Sequence, residues 1–334
     1  MSRKSVILST RKYGYFAELL ARQLDLRTVA TQRKIFRGGE RYYRIVLGDS
    51  LELIRHDAVF VGSTHPDEEF LELLKVCNEL IGAGGINRLV VVMPFCGYTT
   101  MDRGKIEYPI EVVSAKANAK ILSRMLPRSQ DYMLQMDLHT EGLPHYSEGY
   151  RQPFPLTSEQ VLMLAVGELG LDKERLAAVS VDLGRPKSIK RYAKHFGIPM
   201  ALVDKDRDFE STTAGQVIGN VKGKTLLMCD DMIRTVGSAV GAAKAYMEQG
   251  AEAIYLVAPH FAITDRKALE LLVSTPYFRK VITTNSHPMS QHPLVRTSRK
   301  FIIKDVSHVF ANVIRKILEL PIHDVGKTID LLPA

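Results

Sequence analysis

Short runs of apolar residues alternate along the chain with longer segments in which apolar positions have a helical spacing. Most of the short runs are nearly continuous, which is typical of parallel strands that are covered by helices on both faces. They predict strands at residues 5–9, 56–63, 88–95, 131–138, 176–183, 200–205, 225–231, 253–260, 280–285 and 300–306. Alternation of strands and helices in this way predicts an α/β fold with parallel sheets.

Two segments, 68–85 and 238–251, have the pattern of helices. In the first, apolar residues recur at the i, i+3, i+4, i+7 positions that place them on one helix face. These residues are Phe70, Leu73, Leu74, Cys77, Leu80 and Ile81. Glycines follow them, as expected where a helix ends.

The length of the chain predicts two domains, because 334 residues exceed what one hydrophobic core usually serves. Residues 79–95 and 245–261 share one plan: a helix end, glycine, a short polar step, an apolar strand, then proline and an aromatic residue. Two copies of one α/β unit would explain this repetition. Two prolines precede a new helical pattern at Ser158, so we expect one domain over residues 1–155 and a second over 156–310.

The composition argues against a membrane-spanning, a disulfide-stabilised and a nucleic-acid-binding protein. The chain contains no run of about 18 apolar residues, so we expect no membrane span. Its three cysteines are far apart in apolar contexts, which argues against a disulfide framework and favours a reducing cytoplasm. The net charge of +8 favours anionic partners. Because the basic residues are dispersed, we expect small phosphorylated ligands and no nucleic acid.

One strand end carries the clearest chemical signal. The run "LLMC" is followed directly by Asp230 and Asp231, and then by a small-residue loop, Thr235 to Ser238, before the next helix. Ligands of open α/β sheets bind where strands end. Two adjacent carboxylates can accept sugar hydroxyls or a cation, and backbone N–H groups at a helix start can bind phosphate. The same pattern is also compatible with an ordinary turn between strand and helix.

The stretch "LLMCDDMIRTVGSAVGAAKAYMEQGA" resembles the pentose-phosphate loop of type I phosphoribosyltransferases, and most closely that of ribose-phosphate pyrophosphokinases. That family reads two Asp, two apolar residues and then Asp-Thr-Gly-Gly-Thr. The resemblance implies that ribose 5-phosphate binds to Asp230, Asp231, Arg234, Thr235, Val236, Gly237 and Ser238. Here Arg234 replaces the third Asp and Val236 replaces a Gly.

Segments elsewhere are similar to the parts of this family that bind ATP and transfer its diphosphoryl group. The resemblance places His139, at the end of "QMDLH", and Asp182 near the metal, and it implies Mg²⁺ as the cofactor. It implies a diphosphate loop at Asp182, Leu183, Gly184 and Arg185. Lys205 and Arg207 match the two basic residues of the family's catalytic loop, and positive charge there suits diphosphoryl transfer.

The N-terminal half resembles the family's nucleotide-binding segments. "RKIFRGGERYYRI" is similar to a turn that places Phe36 and Glu40 near adenine, and "VVVMPFCGYTTMDRGK" places Asp102 and Arg103, with His139, at ATP. The family's Arg-Gln pair is replaced by Thr100 and Met101, and a glycine of its diphosphate loop by Arg185. Both changes fall in segments that the resemblance expects to bind ATP or its transferred diphosphate.

The resemblance implies two similar phosphoribosyltransferase-like, Rossmann-like domains, with a C-terminal helix in 311–334 that packs back on the first. It implies a homo-oligomer, a dimer or hexamer, that converts ATP and ribose 5-phosphate to phosphoribosyl pyrophosphate and AMP. Thr100, Met101 and Arg234 leave two alternatives open. One is a weakly active or inactive regulatory subunit of a synthetase. The other is a divergent phosphoribosyltransferase or sugar-phosphate kinase.

Overall fold

A computed structural model describes residues 4–47, 53–104, 106–108, 110–148, 153–181, 186–204, 216–263 and 265–320. The described residues divide into two compact units. The first comprises those of Met1–Thr157 and Ser307–Ala334, and the second those of Ser158–Val306. In the described part of the chain, the α-helices are α1 (Gly14–Leu24), α2 (Asp67–Ile81), α3 (Ser114–Met125), α4 (Glu159–Gly167), α5 (Pro186–Phe196), α6 (Val236–Glu248), α7 (Arg266–Ser274), α8 (Pro293–Thr297) and α9 (Ser307–Leu318).

The first unit is built on a parallel sheet. Its strands and a separate hairpin are β1 (Ser5–Ser9), β2 (Arg27–Thr28), β3 (Ala30–Ile35), β4 (Arg41–Val46), β5 (Asp57–Val61), β6 (Arg88–Met93), β7 (Tyr132–Met136) and β8 (Phe154–Leu156). The sheet order is β2-β1-β5-β6-β7-β8, with all neighbours parallel. The central strands β5 and β6 are almost entirely buried, which explains their continuous apolar sequences.

Strands β3 and β4 form an antiparallel hairpin with a two-stranded sheet of their own. Most of its side chains are exposed. The turn between the strands carries Phe36 and Glu40, and Gly39 adopts a φ of 85° there, a conformation that glycine allows without strain.

The second unit repeats the plan with a seven-stranded sheet among its described residues. Its strands are β9 (Leu176–Ser180), β10 (Met200–Asp204), β11 (Gln216–Ile218), β12 (Thr225–Cys229), β13 (Met232–Ile233), β14 (Ala253–Val257), β15 (His260–Phe261), β16 (Phe278–Thr284) and β17 (Phe301–Lys304). The order is β11-β10-β9-β12-β14-β16-β17. Only β11, at one edge of this described sheet, runs antiparallel to its neighbour.

All ten predicted strands are present, and the prediction of an α/β fold with parallel sheets is confirmed. Helix α2 covers most of the predicted 68–85 segment, and α6 begins two residues before the predicted 238–251 segment. The last described helix, α9, begins at Ser307, before the predicted 311, and lies in the first unit. There the Phe310 ring packs edge-on against Phe16 of α1, and Gln23 donates to Ser307 Oγ at 2.8 Å.

The cysteines Cys77, Cys96 and Cys229 are all free and buried. Burial raises the pKa of each thiol, that of Cys96 to about 12. The thiols therefore stay protonated at neutral pH and act as small apolar groups. None of the described helices combines the length and the apolar composition that a membrane span requires.

The side chain of Lys300 caps the C-terminal end of helix α7. Its ammonium donates to the carbonyl oxygens of Leu272, Val273 and Thr275 at 3.0, 2.8 and 2.6 Å. Carbonyls at a helix C-terminus have no partners within the helix, and the helix dipole favours a cation there. The lysine therefore fixes the end of α7 against the start of β17. Partial burial lowers the pKa of its ammonium, because burial disfavours the charged form.

We predict that Lys300→Met lowers the free energy of unfolding of the second unit by about 1–3 kcal/mol, because three carbonyls lose a charged donor. Urea unfolding followed by circular dichroism measures this. Lys280→Met is the matched control, since its ammonium donates to a single exposed carbonyl, that of Arg299. Equal stability of the two variants would contradict the capping role.

Candidate functional site

Strands β9, β12 and β14 are neighbours in the second sheet and end at the same edge. Cys229, the last residue of β12, lies opposite Ser180 on one side and Val257 on the other. The N–H of Asp230 continues the ladder by donating to Val257 O at 3.0 Å. The acidic pair therefore begins where the buried sheet stops, at the edge where ligands of open α/β sheets bind.

Both carboxylates of the pair are half-buried. One oxygen of Asp230 accepts the backbone N–H of Asp231 at 2.9 Å, which fixes the turn between them. Half-buried carboxylates in a fixed turn are suited to accept hydroxyl groups, because little freedom remains to be lost when a ligand binds.

The apolar residues after the pair hold the loop against the unit. Met232 and Ile233 are buried and form β13, which pairs with β15 at His260 and Phe261. Ala262 N donates to Ile233 O at 2.9 Å. This short ladder explains why two apolar residues lie within a polar loop. They anchor the loop to the core between the acidic pair and the start of α6.

The N-terminus of α6 faces outward. Thr235 is its N-cap and makes no side-chain capping hydrogen bond, and Thr235, Gly237 and Ser238 are exposed. A Cβ placed on Gly237 would meet nothing within 4 Å. The N–H groups of the first turn together with the helix dipole form an arrangement that attracts a phosphate.

Val236 contributes differently from its neighbours in the predicted sugar-phosphate loop. Its side chain is only 1% exposed and packs in the hydrophobic core of the second unit. The valine that replaces a glycine of the family pattern therefore leaves the loop surface unobstructed. What Val236 can offer a ligand is its backbone N–H alone. Arg234, by contrast, has an exposed side chain in the same turn.

We predict that Val236→Ala lowers the free energy of unfolding by roughly 1–3 kcal/mol, because it leaves a cavity in the core. The Michaelis constant for sugar phosphate should stay within about twofold, since alanine keeps the backbone donor. Thermal unfolding and steady-state kinetics measure the two quantities. Leu271→Ala, at an exposed position of α7, controls for loss of apolar volume. A large change in the Michaelis constant without loss of stability would show that Val236 faces the ligand.

The sequence did not single out a buried polar cluster beside this loop. His260 is 1% exposed, and its Nδ1 lies 2.8 Å from Ser286 Oγ. Thr284 Oγ1 donates to Pro259 O at 2.7 Å. Pro259 and His260 follow β14, Thr284 ends β16 and Ser286 follows it, so the polar run "TTNSH" at the end of an apolar strand was the signal that could have identified them.

In the first unit, three of the predicted nucleotide residues, Asp102, Arg103 and His139, follow two neighbouring strands. His139 comes shortly after β7 and is half-buried, and Asp102 lies in the loop after β6. Tyr146 Oη donates to the backbone oxygen of Asp102 at 2.5 Å, while Arg103 is exposed. The topology thus brings the ends of β6 and β7, and the segments that carry these residues, to one edge of the sheet.

The loop after β6 is held by tight contacts. A Cβ on Gly97 would lie 2.1 Å from the Cβ of His65, so only glycine fits there. The ring of His65 packs edge-on against Tyr98, whose hydroxyl donates to Asp67 of α2. That hydrogen bond is the main cause of the raised pKa of Tyr98. The loop is therefore positioned by packing before any ligand arrives.

Phe36 and Glu40 lie at the turn of the β3–β4 hairpin. Phe36 N donates to Glu40 O at 2.9 Å, which closes the turn. The Phe36 ring is 44% exposed and packs edge-on against Tyr42, with the Lys34 ammonium 5.0 Å from its centre. An exposed aromatic ring held in this way can stack on a nucleobase.

Asp182, Leu183, Gly184, Arg185, Lys205 and Arg207 lie outside the described residues. Their predicted roles stay predictions. Among the residues that are described, no group of three or more His, Cys, Asp or Glu is arranged to hold a metal ion.

Comparison with known proteins gives a consistent result over nearly the whole chain. A family model described as the N-terminal domain of ribose phosphate pyrophosphokinase matches residues 5–125, and one described as a phosphoribosyl synthetase-associated domain matches residues 191–321. The ribose-phosphate pyrophosphokinase of Chlorobaculum tepidum is 30% identical over 94% of this chain and 92% of its own. That of Streptomyces coelicolor is 27% identical over 95% and 94%.

A solved structure agrees with these relatives. The crystal structure of phosphoribosylpyrophosphate synthetase from Mycobacterium smegmatis superimposes with a TM-score of 0.82 at 25% identity. The match covers 95% of this chain and 99% of that one. The similarity therefore extends over both units and not over a single shared domain.

Proposed function

The chain belongs to the ribose-phosphate pyrophosphokinase family, and from this premise we propose that it transfers the β,γ-diphosphoryl group of ATP to ribose 5-phosphate. The products are phosphoribosyl pyrophosphate and AMP. The observation that carries the proposal in the structure is the pairing of a fixed acidic turn with the outward-facing N-terminus of α6. A phosphorylated polyol matches both features.

The sugar phosphate is bound by the loop of the second unit. Asp230 and Asp231 accept hydrogen bonds from the ribose hydroxyls, and the first turn of α6 receives the 5-phosphate. Thr235 and Ser238 add hydroxyl groups. Arg234, where the family pattern has an acid, adds a cation that suits the phosphate better than the diol.

The nucleotide is bound by residues of the first unit. Phe36 stacks on the adenine and Glu40 accepts from the base or ribose. Asp102, Arg103 and His139 bind the remainder of ATP. This assignment is supported by the exposed ring of Phe36 and by the tight packing of the loop that carries Asp102.

Diphosphoryl transfer requires positive charge and positioning more than covalent chemistry. The anomeric oxygen forms a bond to the β-phosphorus, and its proton is released. The bond from that phosphorus to the oxygen bridging to the α-phosphorus breaks, and AMP leaves with the electron pair. Lys205 and Arg207 neutralise the charge that develops, while the Asp182–Arg185 loop binds the transferred diphosphate.

We propose that Mg²⁺ is the cofactor, as the family pattern implies. The ion prefers oxygen ligands, and in nucleotide enzymes it is bound by one or two protein groups together with substrate phosphates. Asp182 and His139 are the groups that would hold it, and half-buried carboxylates at Asp230 and Asp231 add negative charge at the sugar. When bound, the ion neutralises phosphate oxygens.

The direct test is formation of AMP from ATP and ribose 5-phosphate with Mg²⁺, measured by chromatography. We expect AMP and phosphoribosyl pyrophosphate in equal amounts. Stimulation of an authentic synthetase without AMP formation would instead favour a regulatory subunit. AMP release with another sugar phosphate only would favour a divergent enzyme. We also propose a homo-oligomer in the cytoplasm, which light scattering and fractionation would test.

We predict that Lys205→Ala lowers kcat by roughly 10²–10³-fold while ATP affinity changes little, because the charge of Lys205 is needed mainly in the transition state. Steady-state kinetics and calorimetry with an ATP analogue measure these effects. Lys244→Ala, on an exposed position of α6, is the control for loss of a lysine. A Lys205→Ala variant with the kcat of wild type would remove Lys205 from the mechanism.

We predict that Asp230→Asn raises the Michaelis constant for ribose 5-phosphate by about tenfold, because one charged acceptor is lost. The constant for ATP should change by less than about twofold, since the ribose hydroxyls alone contact Asp230. Glu248→Gln, at the other end of α6, is the control. Equal effects on both substrates would contradict the assignment of Asp230 to the sugar.

A further inference from the structure

The β3–β4 hairpin carries Phe36 and Glu40 but belongs to neither large sheet. Its two strands pair only with each other in the described residues, over positions 30–35 and 41–46. An isolated two-stranded hairpin is at best marginally stable in water. Its orientation on the first unit must therefore come from side chains that join it to the surrounding elements.

Arg33 connects the hairpin by hydrogen bonds to two of these surrounding elements. Its Nε donates to Glu72 Oε1 of α2 at 2.8 Å, and its Nη2 donates to the backbone oxygen of Ser9, the last residue of β1, at 2.7 Å. Its Nη1 donates to Thr31 O within β3 at 2.8 Å. One planar guanidinium thus joins the hairpin, the central sheet and helix α2.

The carboxylate that receives Arg33 is buried. The Glu72 side chain is 5% exposed, and Glu69 is buried one helix turn away. Burial raises the pKa of Glu72, and the hydrogen bond from Arg33 opposes this shift. Removal of the guanidinium would leave two buried carboxylates close together, an arrangement that is relieved when they move toward water.

The hairpin also contacts the first unit through Tyr43 and Ile45, which are partly buried against its hydrophobic core, and through a cation–π contact with α2. The Lys75 ammonium lies 5.9 Å from the centre of the Tyr43 ring, and Tyr43 is the residue opposite Arg33 in the hairpin. A partly exposed cation–π contact of this length stabilises by much less than a buried guanidinium–carboxylate pair. Arg33 is therefore the main polar anchor of the hairpin, beside the apolar packing of Tyr43 and Ile45 on the core of the first unit.

We propose that Arg33 is a positioning residue for nucleotide binding: through Glu72 it fixes the hairpin in the orientation in which Phe36 and Glu40 contact the adenine nucleotide. The inference rests on the proposed function, because the role of this turn at ATP is part of that function. Arg33 itself touches no substrate and acts only through the position of the turn.

The test compares four variants. Arg33→Met removes the guanidinium and keeps most of the stem, whereas Arg33→Lys keeps the charge and loses the planar fork. Glu72→Gln removes the charge of Glu72 but keeps an oxygen that can accept from Arg33. It is the alternative variant if Arg33→Met folds poorly. Arg44→Met is the matched control, because Arg44 is an exposed arginine on the same hairpin next to Tyr43 and on the opposite face.

Each variant is measured in two independent ways. The first is the rate at which trypsin cleaves after Arg37, in the exposed turn, followed by mass spectrometry. The second is the set of kinetic constants for ATP and ribose 5-phosphate, together with the affinity for a methylene-substituted ATP analogue. Cleavage reports the position of the hairpin whether or not the protein is an active synthetase.

We expect Arg33→Met to accelerate cleavage and to raise the Michaelis constant for ATP roughly tenfold or more, because a displaced turn loses contact with the nucleotide. The constant for ribose 5-phosphate should stay within about twofold, since the turn does not contact the sugar phosphate. Arg33→Lys should restore part of both properties, and Arg44→Met should resemble wild type.

Unchanged cleavage in Arg33→Met would overturn the anchor. Faster cleavage with unchanged affinity for the analogue would overturn the role in nucleotide binding. If wild type forms no AMP, the proposed function fails. The affinity for the ATP analogue still tests the role of Arg33 in that case. Loss of analogue affinity in Arg33→Met, with the affinity of wild type in Arg44→Met, would support it, and equal affinity in all variants would reject it.

Discussion

The organisation of this protein depends on the way in which parallel strands end. Strands that are covered on both faces have largely apolar sequences, so polar side chains enter mainly at and after the ends of the strands. Because parallel strands end at the same edge, these polar residues collect there. In the second unit, the ends of β9, β12 and β14 bring the acidic turn, the start of α6 and His260 to one edge. In the first, β6 and β7 bring the segments of Asp102 and His139 together in the same way.

This constraint also explains how much the sequence could predict. The ten strands were predictable because continuous apolar runs leave little alternative. The hairpin strands β3 and β4 were not, because arginine, lysine and tyrosine dominate them and most of their side chains are exposed. The two-residue strands β13 and β15 were too short to have a pattern, although they anchor the acidic loop.

The sequence also predicted part of the candidate site, as it did part of the fold. Sequence identified the residues after β12, because acids that directly follow a buried strand are unusual. It could not tell that the Val236 side chain turns into the core, since that depends on the orientation of the first turn of α6. Nor could it join His260 with Ser286, because residues after β14 and β16 meet only once the order of the strands in space is known.

The state of the cysteines has a practical consequence. All three native thiols are buried and protonated, so reagents that attack thiolates should leave them unmodified in the folded protein. A cysteine introduced at the exposed turn of the hairpin would then be the one site open to alkylation. A fluorophore or spin label attached there would follow the hairpin in an otherwise native background, without prior mutation of Cys77, Cys96 or Cys229.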